Sequence, residues 1–405
     1  MKSPLIPSRV APIRISPNGR YFVDRSGSPW FWLGDTQWHL FRSFKLEDVQ
    51  AIIQNRKAKG FGALLIMLMG YEGDPVANVH GDLPWIDNDP SRPNERYFEH
   101  VDAAMRIACE LDMIQVLGVY HKSQARYHTP GKAEALATWI ARRYRDVPQI
   151  IWSMYPEARN QYAPVVQAIA RGLQHGDGGA HMISVHPDPS PQSSSFLHDQ
   201  PWLAFNMLQT CIDIELIQPM VAADYGMTPI KPVVMAEGGY EGVEFNRPFT
   251  PLDIRRQAWW THLAGGHHVY GHNDHYRLLH QWREWIDAPG SLHLRTFRDI
   301  ATSLKAWWNL IPDQSIIASS ADVGADLTVA ARSQASDWAL VYFASPGSRT
   351  IRMDRIRSAD TIVTSWIHPI TGDRSMAGEF PYTKPVEFTP PQSWEDALLL
   401  MEGKT

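Results

Sequence analysis

Two glutamates far apart in the chain each follow a short apolar run. Glu157 comes just after Pro148-Gln149-Ile150-Ile151-Trp152-Ser153-Met154-Tyr155, and Glu237 ends Pro232-Val233-Val234-Met235-Ala236. Runs of this length and β-branched content read as strands buried on both faces. A carboxylate at the C-terminal tip of such a strand stands where parallel barrels keep their chemistry. A pair of them on opposite sides of one pocket can break a glycosidic bond, one as a protonated acid and the other as an ionised nucleophile or base. Taken singly, each has a plainer reading as a helix cap or the partner of a nearby Arg. Gly238-Gly239 after Glu237 permit a tight turn and the close approach of a ligand.

Other strand ends carry residues suited to holding a polar, ring-shaped substrate. FWLGDTQWHLF (31–41) ends in Asp35, Trp38 and His39, and MIQVLGVYHKS (113–123) ends in Tyr120 and His121. Tyr155 ends the run before Glu157, HMISVHPDP (181–189) carries His186, and WLAFNMLQT (202–210) carries Asn206 and Gln209. Tyr240 follows Glu237, and GGHHVYGHNDHY (265–276) carries His272. Asp35 is expected to hold a substrate hydroxyl or orient Trp38 and His39, with a helix N-cap as its plainer reading. The 17 histidines raise a second possibility, a metal-dependent barrel hydrolase. Such a barrel would show His-x-His at the end of its first strand. Here that place reads Gly34-Asp35-Thr36, and no HExxH or CxxC occurs, so no metal and no cofactor is expected. A third possibility is a carbohydrate-binding protein that keeps the cleft without the chemistry.

The elements that would position these residues alternate. Eight apolar runs, each followed by a helical pattern, fill about 300 residues, the order and size of a (β/α)8 TIM barrel. The runs turn polar at their C-terminal ends, which argues for one shared mouth. Turn signals at 17–19 and 26–29 suggest a short β-hairpin ahead of the barrel. The loop 70–97 is long, which usually marks function, and it would wall one end of the cleft and favour exo action. From about residue 312 the texture changes to short strands and turns such as Thr371-Gly372-Asp373. The expected division is a catalytic barrel over 1–312 and a small antiparallel β-sandwich over 313–405.

A net charge of −5 without long charge runs speaks against nucleic acid as a partner. Sixteen Trp, 14 Tyr and 14 Phe supply both core and the flat faces on which sugar C–H bonds pack. Two cysteines make no disulfide framework. No apolar stretch is long enough for a signal-peptide core or a membrane span, so the expected compartment is the cytoplasm, with an extracytoplasmic site possible for a trimmed chain. Oligomeric state is not legible.

The segments FWLGDTQWHLF, PNERYFEHVD (93–102), VPQIIWSMYPEARN, WLAFNMLQT, KPVVMAEGGYEG and GHHVYGHND together resemble the apiosidase-like glycoside hydrolases, in order and over nearly the whole chain. The resemblance implies a (β/α)8 barrel that removes terminal furanosyl sugars, followed by a β-sandwich of the type labelled collagen-binding. It implies an acid/base just after the IIW strand, here Glu157, and a nucleophile in the KPV segment, here Glu237. The family pattern after IIW has two glycines and an Asp. This chain has Tyr155-Pro156, a Glu and one more residue, which alters the shape beside the leaving group. A retaining mechanism then requires the two carboxyl groups to lie roughly 5–5.5 Å apart. The acid is expected to have a raised pKa, through burial against Trp152 or Tyr155 and the second Glu.

Overall fold

The computed structural model describes residues 13–155, 162–244, 247–277, 281–318, 322–356 and 360–404. The chain gathers into two compact units. The first comprises 1–209, 228–237 and 269–286, and the second 210–227, 238–268 and 287–405.

The parallel sheet is built from β1 (Leu33–Thr36), β2 (Ala63–Met67), β3 (Ile114–His121), β4 (Ile150–Tyr155), β5 (Ile183–Val185), β6 (Asn206–Gln209), β7 (Val233–Glu237) and β8 (His267–Tyr270). Neighbours run β5-β4-β3-β2-β1-β8-β7-β6, which is the sequential order of a TIM barrel. A bridge between Ile183 and Leu203, with Ala204 N–H donating to Ile183 O at 2.8 Å, joins the β5 and β6 sides. Four helices of the first unit follow their strands: α1 (Leu46–Ala58), α2 (Glu95–Glu110), α3 (Pro130–Tyr144) and α4 (Ala163–Asp177). After β5 the helical layer shrinks to Ser194–Leu197.

Local chemistry explains the helix ends. Thr129 caps α3 by accepting from Lys132 N–H, with Pro130 in the first turn, and Gly178 ends α4 in the left-handed conformation. Gly172 and Gly176 lie one turn apart on α4 facing α3. A Cβ there would meet Glu134 O at 2.5 Å and Thr138 O at 2.6 Å, so only glycine allows this approach. Barrel residues such as Leu64, Ile66, Leu117, Trp152 and Met154 belong to one apolar core with the inner faces of α1 to α4. Three short antiparallel strands, Arg14–Ile15, Phe22–Val23 and Pro29–Trp30, replace the expected hairpin. Phe22 packs against Trp32 and Phe205, at 4.8 and 5.4 Å, under the starts of β1 and β6. Several aromatic residues therefore serve the core rather than the mouth.

The second unit holds a six-stranded antiparallel sheet and a two-stranded one, Arg349–Ile351 with Val386–Phe388, the β-sandwich texture read from the sequence. It also takes in three helices, α5 (Ile217–Tyr225), α6 (Pro251–Leu263) and α7 (Pro289–Ser303). The reason is visible on α6. Arg255 reaches the Asp396 carboxylate at 2.7 Å, Tyr342 O–H donates to the same carboxylate at 2.8 Å, and Trp260 donates to Leu327 O at 2.8 Å. Among the described residues no helix is long and apolar enough to cross a membrane.

Candidate active site

Strand register sets the site. His121 at the end of β3 is the register partner of Tyr155 at the end of β4, after an irregularity that follows Gly118. His186 N–H, just beyond β5, donates to Met154 O at 2.7 Å and so lies beside Tyr155. Gln209 ends β6 opposite Glu237, which ends β7 after a second irregularity. Such bulges re-aim side chains at barrel rims. Five consecutive strands thus deliver His121, Tyr155, His186, Gln209 and Glu237 to one edge.

The rings form an arc. His121 and Tyr155 stack with centroids 4.6 Å apart, and Tyr155 lies 4.5 Å from His186. Trp38, just after β1, packs edge-on against His186 at 5.4 Å and on Tyr155 at 6.3 Å. On the other side Tyr71 lies 5.9 Å from His121 and stacks on His39 at 5.2 Å. A small void beneath the rings is lined by Trp38, Met67, Gly118, Ser153, Tyr155 and His186.

Polar contacts fix these rings. Tyr155 O–H donates to Gln209 Oε1 at 2.6 Å, and Ser123 Oγ, 2.7 Å from His121 Nδ1, donates to Tyr71 O at 2.6 Å. Arg42 grips Glu72 with two bonds of 2.8 and 2.7 Å, and His39 Nε2 lies 3.6 Å from the same carboxylate. Burial pushes the Glu72 pKa upward, but the Arg42 contacts outweigh it and hold it below the usual carboxylate range. Lys122 pairs with Asp188. His186 Nε2 lies 3.5 Å from Glu237 Oε2, and the Glu237 side chain is 15% exposed. Burial pushes His121 down to about 4 and His186 down to about 3. Both imidazoles are neutral near pH 7 and offer hydrogen bonds rather than charge.

The structure therefore brings Trp38, His39, His121, Tyr155, His186, Gln209 and Glu237 together and, within the same unit, leaves Asp35, Tyr120, Asn206 and His272 elsewhere. Asp35 faces the helix layer because side chains alternate along a strand. It is fully buried, with Arg56 Nε at 2.6 Å and Gln37 Nε2 at 2.6 Å, a core ion pair rather than a substrate contact. Tyr120 has the opposite parity to His121 and packs in the core against His128 at 5.1 Å. Trp152 likewise donates to Asp177 Oδ2 at 2.8 Å in the helix layer. Asn206 opens β6 instead of ending it and binds His198 at 3.1 Å. His272 stacks on Trp285 at 5.1 Å, and no ring contact among the described residues joins it to the arc. Tyr240 belongs to the second unit, where its carbonyl accepts from Val243 N–H at 3.2 Å. Glu157 lies outside the described residues.

Sequence reading missed Arg42 and Glu72. Glu72 follows the end of β2 at a tip position, which was a usable signal. Arg42 sits on the short helix Leu40–Ser43, and only the fold brings it to Glu72. Among the described residues no three His, Cys, Asp or Glu side chains gather as a metal could use them.

Residues 16–309 match the family model described as "Apiosidase-like, catalytic domain", and residues 311–402 match "Putative collagen-binding domain of a collagenase". Among solved structures, a glycoside hydrolase family 5 protein from Bacteroides vulgatus superposes with a TM-score of 0.88 at 24% identity, covering 97% of this chain and 93% of that one. A second glycoside hydrolase gives a TM-score of 0.88 at 22% identity, covering 97% of both chains. A family 27 β-L-arabinopyranosidase from Geobacillus stearothermophilus, solved with arabinose, shares the architecture at a TM-score of 0.56 and 11% identity, over 93% of this chain and 97% of that one. No curated protein sequence matches the chain. At these identities the structural neighbours speak for the fold, while the match over 16–309 speaks for descent. The chain belongs to the apiosidase-like family of glycoside hydrolases.

Proposed function

We propose that this glycosidase is a retaining, exo-acting enzyme that removes a terminal furanosyl-type sugar, with Glu237 as nucleophile and Glu157 as acid/base. The observation that carries the reading is the place of Glu237. It ends β7 in a row of ring-bearing strand tips, mostly shielded from water but still accessible. A carboxylate there can attack an anomeric carbon while Trp38 and Tyr155 pack against the C–H face of the sugar. Glu157 enters from its position in the sequence, two residues past the end of β4. It would protonate the leaving oxygen and then, as base, activate the water that releases the sugar. The neutral imidazole of His121 can bond a sugar hydroxyl without adding charge. Tyr71 and Glu72, packed against His39 and Arg42, occupy one side of the group, which favours a closed-ended cleft and exo cleavage. The family match supports the furanosyl class.

A panel of aryl furanosides and pyranosides, run beside Glu237→Gln and Glu157→Gln, tests this directly. The wild type should release the aryl group from one or more furanosides, and both variants should fold yet lose most turnover. Turnover confined to hexopyranosides would reject the substrate class. Near-normal rates in either variant would reject that residue's role.

A further inference from the structure

One buried ring beside Glu237 has no role as catalyst in this scheme. His186 is 2% exposed, and its Nε2 has no hydrogen-bond partner among the described residues. That nitrogen lies 3.5 Å from Glu237 Oε2, while Nδ1 lies 3.2 Å from the Pro187 carbonyl oxygen. Both neighbours are acceptors, as is the Ala236 carbonyl that also meets the ring, and a neutral ring with one proton cannot serve them all. A proton on Nδ1 would turn a lone pair toward a carboxylate in a poorly solvated place. A proton on Nε2 makes a charge-assisted bond, the stronger of the two choices. Burial pushes the ring's pKa down to about 3, and His121 adds to the lowering, so a doubly protonated ring is disfavoured. Among the described residues the other titratable groups are Tyr155, which packs on the ring from β4, and Asp188, two residues further along the chain and paired with Lys122.

We propose that His186 is a positioning residue for Glu237, its Nε2–H donating to Oε2 and holding the carboxylate ionised and in one orientation. This rests on Glu237 being the nucleophile. A nucleophile beside a protonated acid needs a donor that does not surrender its proton, and a neutral imidazole in a buried site meets that need.

Nitrogen-15 NMR of the histidine side chains reads the bond without any turnover. His186 should show a protonated Nε2 and a bare Nδ1, and the Nε2 signal should move in Glu237→Gln. A proton resident on Nδ1 overturns the proposal. Kinetics give the second arm. His186→Phe should lower kcat/KM by about 10- to 100-fold, mostly in kcat. Its acidic limb should move up by about one pH unit. His186→Gln, which can place an amide N–H near the same point, should recover most of the loss. Equal losses in both variants, or an unmoved limb, contradict the assignment. If Glu237→Gln keeps its turnover, the nucleophile reading falls, while the spectrum still decides the bond.

Discussion

His121 and Tyr155 stand side by side on β3 and β4, their rings 4.6 Å apart and 13° from parallel. Tyr155 is also held by His186 on its other side and by Gln209 through its hydroxyl. A ring gripped from three directions has little room to swing, so it sets the shape of the mouth at the end of β4. This fixed aromatic face is where the chain departs from the glycines of the family pattern.

Removing the hydroxyl and removing the ring should therefore differ. Tyr155→Phe loses the bond to Gln209 and should cost about 1 kcal/mol in urea unfolding, with little change in substrate preference. Tyr155→Ala opens the mouth, and the ratio of kcat/KM for pentofuranosides over hexopyranosides should fall by about 10-fold. An unchanged ratio in a folded Tyr155→Ala protein would show that the ring does not bound the sugar.

Asp35 predicts the opposite pattern. Its carboxylate and the Arg56 guanidinium are both fully buried and 2.6 Å apart. Asp35→Ala strands a buried cation and should destabilise the fold by about 3–5 kcal/mol. The KM of the molecules that remain folded should stay near the wild-type value. A stable Asp35→Ala protein with a raised KM would return Asp35 to the substrate.

Acid sensitivity should trace to buried imidazoles. Burial pushes His268 down to about 3, and both ring nitrogens lack a partner among the described residues. The unfolded imidazole titrates near pH 6.5, at about its ordinary value. Between those limits the unfolded chain binds more protons, so stability rises with pH. It is present in full above about pH 6.5 and is lost as the pH falls toward about 3. His268→Leu should reduce the slope of unfolding free energy by about 1.4 kcal/mol per pH unit between about pH 4 and 6. Denaturant titrations across that interval check it, and an unaltered slope would mean that His268 is already charged when folded.

The barrel and its strand tips were legible because apolar runs that turn polar occur in step with helical patterns. Glu237, Gln209, His186, Tyr155 and His121 fall at one edge, as their positions at the ends of runs suggested. Three expectations turned on detail that the pattern does not hold. Tyr120 and Asp35 end apolar runs just as His121 does, yet strand parity sends them to the helix layer. Asn206 looked like a tip because WLAFNMLQT reads as one strand, whereas pairing begins only at Asn206. The grip of Arg42 on Glu72 joins the short helix Leu40–Ser43 to the loop after β2, and no local periodicity encodes it. The reach of the second compact unit back to α6 was equally hidden, since it depends on Arg255 meeting Asp396.

The most direct test of the double-displacement scheme is to trap its intermediate. A 2-deoxy-2-fluoro derivative of the best aryl glycoside should slow release of the sugar and leave it bound to the protein. Peptide mass spectrometry should then find one added sugar, on Glu237, and none in Glu237→Gln. Labelling at another residue, or a first-formed sugar of inverted configuration by proton NMR, would contradict the account.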